Sequence, residues 1–161
     1  MIGADLIPLL QSGVSLIVGT RDSHLVPESA RALGARVEDG GREITVFLPA
    51  ATCGPSIANL ADNGRIAVTF VRIGDHYAVQ AKGRAVEVRE ATDDEHPLID
   101  RYRSELIQAL GFVGLPPRQT ARFAHWPAHA VRFVVEALFE QTPGPGAGEA
   151  LIPTETSEPT T

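Results

Sequence analysis

The chain has 161 residues, of which 43% are hydrophobic and 21% charged, with a formal net charge of −6. A chain of this length makes one domain able to bury roughly 70% of the surface it exposes when unfolded, and its acidic balance speaks against a nucleic-acid backbone or an anionic membrane as partner. Cys53 is the only cysteine, which excludes an intrachain disulfide. The opening MIGADLIPLL has neither the basic start of a signal peptide nor an apolar run long enough to span a bilayer, so a cytoplasmic protein is expected.

Residues 4–12 read as a short helix, with Leu6, Leu9 and Leu10 on one face, Pro8 in the first turn and Gly13 as the stop. Val14 to Gly19 suits a buried strand. Residues 26–37 carry helix signals in Pro27, Glu28 and the run from Ala30 to Leu33 before Gly34, on a segment short enough for a strand. Asp39-Gly40-Gly41 is a turn, Glu43 to Leu48 alternates as a strand, and Pro49 to Pro55 is a loop.

The most informative stretch is Ser56 to Val88. A short helix ends at Asn63-Gly64, a pair suited to a left-handed turn. Two β-branched runs, Ile66–Val71 and Tyr77–Val88, follow around Gly74-Asp75 and predict a long hairpin. Thr92 and Glu95 have capping-box spacing. Leu98, Ile99, Tyr102, Leu106 and Leu110 then form a helical stripe, with Pro97 in the first turn and Gly111 at the end. Residues 114–127 read as irregular. Ala130 to Phe139 alternates, with Val131, Phe133, Val135, Ala137 and Phe139 on one face. From Thr142 onward Pro, Gly, Thr and Glu dominate, which predicts a folded domain over 1–141 and a flexible C-terminal tail over 142–161.

The junction Thr52-Cys53-Gly54-Pro55-Ser56 is the first candidate site. A helix start offers unpaired N–H groups and partial positive charge, which suit a phosphate or simply make a capped helix. Cys53 there is either a packing residue or a thiol activated by the helix end. Lys82 and Arg84 flank Gly83 and point to one face, towards solvent or an anion. Trp126 precedes the last strand and either packs or stacks on a planar ligand. His125 and His129 are four apart, but Pro127 lies between them, so no metal site is expected. No catalytic residue can be assigned.

The order helix, Asn59-Leu60, turn, Arg65, strand, tight turn, then a strand carrying Gly83-Arg84-Ala85 resembles the pyridoxamine 5'-phosphate oxidase-like split barrels, which mostly bind FMN. The resemblance covers about residues 14–140. It implies a mostly β fold with α: an antiparallel split β-barrel with a few peripheral helices, and a second strand over 26–37. It further implies a homodimer with FMN at the interface and a small-molecule substrate for a flavin-dependent oxidoreductase. Cofactor contacts would come from Thr20, Thr52, Cys53, Ser56, Asn59, Lys82, Arg84 and Trp126. Two positions depart from the family pattern: Ser56 stands where a lysine commonly meets the flavin phosphate, and Ala78 where a glutamine meets the flavin. The alternative is a non-redox barrel that holds another ligand, such as haem, or none.

Overall fold

The computed structural model describes residues 1–38 and 40–152, and its strands form one antiparallel sheet. A single helical turn, α1 (Ile7–Leu10), tucks Leu10 into the core. Strands β1 (Ser15–Arg21) and β2 (Pro27–Ala32) make a hairpin. The Asp22 carboxylate holds its turn by accepting from the backbone N–H of His24 at 2.8 Å and of Val26 at 2.9 Å. After Leu33-Gly34 the chain resumes as β3 (Ala35–Val37). Residues 26–37 are thus strand on both sides of a bend, as the family resemblance implies. The local helix signals lose because Ala30 and Ala32 must face the core while Arg31 between them faces out.

That bend closes the barrel. β2 pairs with β1, whereas β3 pairs with β4 (Glu43–Pro49), so one bent strand joins both ends of the order β2-β1-β5-β6-β7-β4-β3. Of the expected turn at 39–41, Asp39 lies outside the described residues, and Gly40 and Gly41 both take positive φ. Strand β4 does not show the expected alternation, since Ile44 through Leu48 are all buried. Its inner face meets the barrel core, while Phe47 on its outer face packs with Ile99 and Leu106. Those two residues belong to the long helix α3 (His96–Phe112), which covers this side of the barrel.

Helix α2 (Gly54–Asn63) ends on Gly64 at φ 68°, a left-handed position that glycine reaches without Cβ strain. Strands β5 (Arg65–Val71) and β6 (Ala78–Glu90) form the predicted hairpin. The capping box at Thr92 and Glu95 is present on a 3₁₀ turn that leads into α3. Tyr102 donates to the carbonyl of Val14 at 2.8 Å and ties α3 to the start of β1. A single turn, α4 (Pro117–Thr120), precedes β7 (Ala128–Glu140).

The alternation expected in β7 holds through Val135, which packs against the core, and fails after it. Lys82 pairs with Ala137 but Gly83 pairs with Val135, which leaves Glu136 as an extra residue. This bulge shifts the facing by one. Leu138 therefore enters the core, and Phe139 is left half-buried on the outside, with the Lys82 ammonium 5.0 Å above its ring. The segment expected as a tail begins by folding back: Glu140 exchanges backbone hydrogen bonds with Gly148 and Glu149, and β8 (Ala150–Ile152) pairs with β7. The rest of that segment lies outside the described residues. Among the described residues no helix is long and apolar enough to cross a membrane.

Gly83 faces the carbonyl oxygen of Val134, which would lie 1.8 Å from a Cβ at that position. We expect Gly83→Ala to force the two strands apart at a cost of about 2–3 kcal/mol, lowering the Tm by roughly 5–10 °C. Calorimetry of the variant decides it; an unchanged Tm would mean that β6 and β7 do not approach this closely.

Glu95 is nearly buried and accepts a two-pronged bond from Arg89 at 2.8 Å on each oxygen, with Arg36 at 3.3 Å and the Thr92 N–H at 3.0 Å. The Arg89 guanidinium chiefly, aided by the other donors, lowers its carboxyl from 4.5 to about 2. A depressed acid stabilises the fold above its unfolded pKa and loses that contribution as the pH falls through its folded one. Glu95→Gln should cost about 2–3 kcal/mol at pH 7, with the gap to wild type closing between about pH 4.5 and pH 2. Urea unfolding as a function of pH measures this, and a pH-independent gap would refute the assignment.

Candidate functional site

The outward face of the barrel carries a row of small residues across four strands. Ser29 on β2 pairs with Gly19 on β1, Gly19 with Ala67 on β5, and Ala67 with Lys82 on β6. Register partners share a face, so these residues form the floor of one trough that ends at a cation. The next row, Arg31, Ile17, Thr69 and Gln80, stands along one side, and Arg21, Arg65 and Arg84 stand near the other. Gln80 donates to Thr69 at 2.8 Å, which fixes that side.

A cavity of about 500 Å³ opens on this trough, lined by Gly19, Thr20, Arg21, Arg65, Lys82 and Glu136 among others. Its volume lies within the range of small-molecule sites, about 300–1,000 Å³. Gly19 is the residue that opens it. A Cβ there would meet only the carbonyl oxygen of Ala67, at 3.8 Å, so packing within the chain does not require glycine. A glycine inside a strand weakens it and marks a place where something approaches the backbone closely.

The charge of the cavity is mostly positive. Arg21 and Lys82 form no ion pair among the described residues, while Arg65 donates to Glu136 at 3.3 Å and Arg84 lies 3.9 Å from the same carboxylate. Glu136 is there because the bulge turns it outward.

A second cavity, of about 250 Å³, lies beside the first, since Ser29 of its lining pairs with Gly19. It is bounded by Arg31, Pro49, Thr52 and Phe123. The guanidinium of Arg31 lies 5.2 Å above the Phe123 ring, and Thr52 sits two residues before α2. Arg31 and the start of α2 together offer a fixed cation and a positive helix end.

The residues expected from the sequence divide accordingly. Thr20 and Lys82 line the first cavity and Thr52 the second. Asn59 donates to the buried Thr20 hydroxyl at 3.1 Å, which clamps α2 onto the end of β1. Arg84 donates to the carbonyl of Asn63 at 3.2 Å and lines neither cavity. Ser56 is buried, and its hydroxyl has no hydrogen-bond partner among the described residues. Cys53 is buried with its sulfur 4.0 Å from the Leu48 carbonyl, and burial pushes its thiol up, the opposite of activation. Trp126 stacks on His96 with ring centroids 4.2 Å apart, so one of its faces is taken. Arg31, Gly19 and Glu136 were missed. Once 27–32 is read as a strand, alternation alone puts Arg31 on the outer face beside Ser29.

No protein-family model and no curated protein matches the sequence. Solved structures do match by fold. HupZ of Group A Streptococcus is 21% identical over 92% of this chain and 100% of its own, with a TM-score of 0.55. A candidate pyridoxamine 5'-phosphate oxidase of Lactobacillus delbrueckii is 16% identical over 86% of this chain and 93% of its own, also at 0.55. An FMN-binding protein of Syntrophomonas wolfei is 12% identical over 84% and 85%, at 0.51. With its bent closing strand and outward cavity, the chain has the pyridoxamine 5'-phosphate oxidase-like split-barrel fold.

Removing the clamp with Asn59→Ala should lower stability by about 1 kcal/mol, the value of one part-buried hydrogen bond. A urea midpoint equal to wild type would show that Thr20 and Asn59 do not hold the helix.

Proposed function

We propose that this split barrel binds FMN and serves as a flavin-dependent oxidoreductase on a small molecule, working as a homodimer. The observation that carries the reading is the open floor at Gly19, a space that the chain's own packing neither fills nor requires. A flat ring system suits a floor of Gly19 and Ala67 between polar rows. Arg31, Thr52 and the first turn of α2 suit a terminal phosphate in the adjoining cavity. Lys82, Arg21 and Arg65 would then face the polar edge of the ring or an acidic substrate. Bound there, the flavin would supply reversible electron transfer, and the protein orientation and charge.

The fold neighbours include a protein named as FMN-binding, which supports the same reading. The homodimer rests on the outer face itself. Ile17, Thr69 and Val71 are only half-covered within the chain, and a second copy would bury them and cap the trough.

Ser56, Ala78 and the Glu136 counter-charge favour one competing reading, a barrel without flavin chemistry that holds haem or another small ligand, or no cofactor at all. The absorption spectrum of freshly purified protein separates them: a flavin band supports the first, while a Soret band or a colourless protein that ignores added FMN supports the second.

Two substitutions test the placement. Gly19→Val should leave the unliganded fold intact, because its Cβ has space, yet abolish FMN binding by filling the floor. Arg31→Ala should weaken FMN about tenfold or more through loss of a charge-assisted hydrogen bond, and leave riboflavin unchanged. Equal losses for the two ligands would remove the phosphate from Arg31, and full binding by Gly19→Val would remove the ring from the trough.

A further inference from the structure

Away from the trough, the first turn of α3 and the loop before β7 bring three metal-ligating side chains together. His96 and Asp100 are one helical turn apart on α3, and His125 approaches from the loop. The Nε2 atom of His96 lies 3.6 Å from one Asp100 oxygen, and the Nε2 atom of His125 lies 3.6 Å from the other. The ligating atoms of all three fall within 4.8 Å of one another. With bonds of about 2.0–2.2 Å, ligands of a tetrahedral zinc ion stand roughly 3.3–3.6 Å apart; each histidine already lies at that spacing from one Asp100 oxygen, and drawing all three groups from within 4.8 Å onto one ion takes a side-chain movement of about 1 Å.

We propose that His96, Asp100 and His125 form a binding site for a divalent first-row metal ion, with zinc as the best-matched member. Two features beyond the cluster orient it. The Nδ1 atom of His125 lies 3.4 Å from the carbonyl oxygen of Phe123. A carbonyl only accepts, so the proton belongs on Nδ1 and the Nε2 lone pair is left for an ion, the usual second partner of a metal-bound histidine. The His96 ring lies flat against Trp126, tilted by 13°, which limits its rotation. Two imidazoles and one carboxylate suit zinc and its neighbours better than calcium or magnesium, which take mainly oxygen ligands. All three side chains are partly exposed, so an ion can enter and water can complete its shell.

The site sits where an ion would have a structural effect. It would join α3 to the 121–127 loop, and Phe123 of that loop forms a wall of the second cavity beneath Arg31. The inference does not depend on the cofactor reading, because the ligands lie on elements that line neither the floor nor the row of Gly19.

The test uses tag-free full-length protein, stripped with chelator and titrated with Zn²⁺ by calorimetry, then with Co²⁺ by visible absorption. The expected result is one Zn²⁺ per chain, Co²⁺ bands of tetrahedral type, and affinity reduced tenfold or more in His96→Ala, His125→Ala and Asp100→Asn. His129→Gln on β7 should bind as wild type. Asp100→Asn keeps the shape of an exposed residue, so it remains informative if a histidine variant fails to fold. No heat on titration, or Zn²⁺ binding that survives Asp100→Asn undiminished, would overturn the site and leave the three residues as a surface ion-pair cluster.

Discussion

The close passage of Gly83 over the backbone of Val134 governs the shape of the outer face. No side chain fits there, so β6 and β7 meet without one and the ladder takes up an extra residue beside the contact. One bulge then sets three things together. Leu138 is turned into the core, Phe139 is left outside as a platform for Lys82, and Glu136 projects into the cavity. The cation, its aromatic support and the neighbouring carboxylate thus share a single backbone cause.

Around that contact the barrel forms the frame. The bent β2–β3 strand links the two ends of the sheet, and α3 buries the outer face of β4. The remaining outer surface, on β1, β5 and the first half of β6, stays open and carries the larger cavity. Helix α2 is clamped to its rim by Asn59 on Thr20 and Asn63 on the Arg21 carbonyl. Its start therefore stays beside Arg31 without touching the floor of the trough.

Much of this was legible in the sequence, for identifiable reasons. Asn63-Gly64 and Gly74-Asp75 demand turns, so the β5–β6 hairpin followed directly, and the stripe from Leu98 to Leu110 gave α3. Residues 26–37 were ambiguous because their local composition suits a helix, and only strand pairing on both sides decides them. The alternation of β7 misled beyond Val135, since a bulge depends on the partner strand and leaves no mark on its own strand's pattern. Of the residues that line the two cavities, Lys82 was legible from its alternation about Gly83, Thr52 from the start of a helix, and Thr20 only through the family resemblance. Arg31 was not, because its role depends on the strand assignment, and neither was the open space at Gly19. The His96–Asp100–His125 cluster spans α3 and a later loop, so no local spacing announces it.

Glu136 gives the trough a resident anion. An incoming phosphate or carboxylate that engages Arg65 must displace a side chain already hydrogen-bonded to it. Binding at that arginine is therefore an exchange between anions rather than the neutralisation of a bare charge. Such an exchange releases few small ions, so it depends only weakly on ionic strength. It also discriminates by geometry: an anion that cannot match the position of the Glu136 carboxylate gains nothing from Arg65 and is left with Arg21 and Lys82 alone.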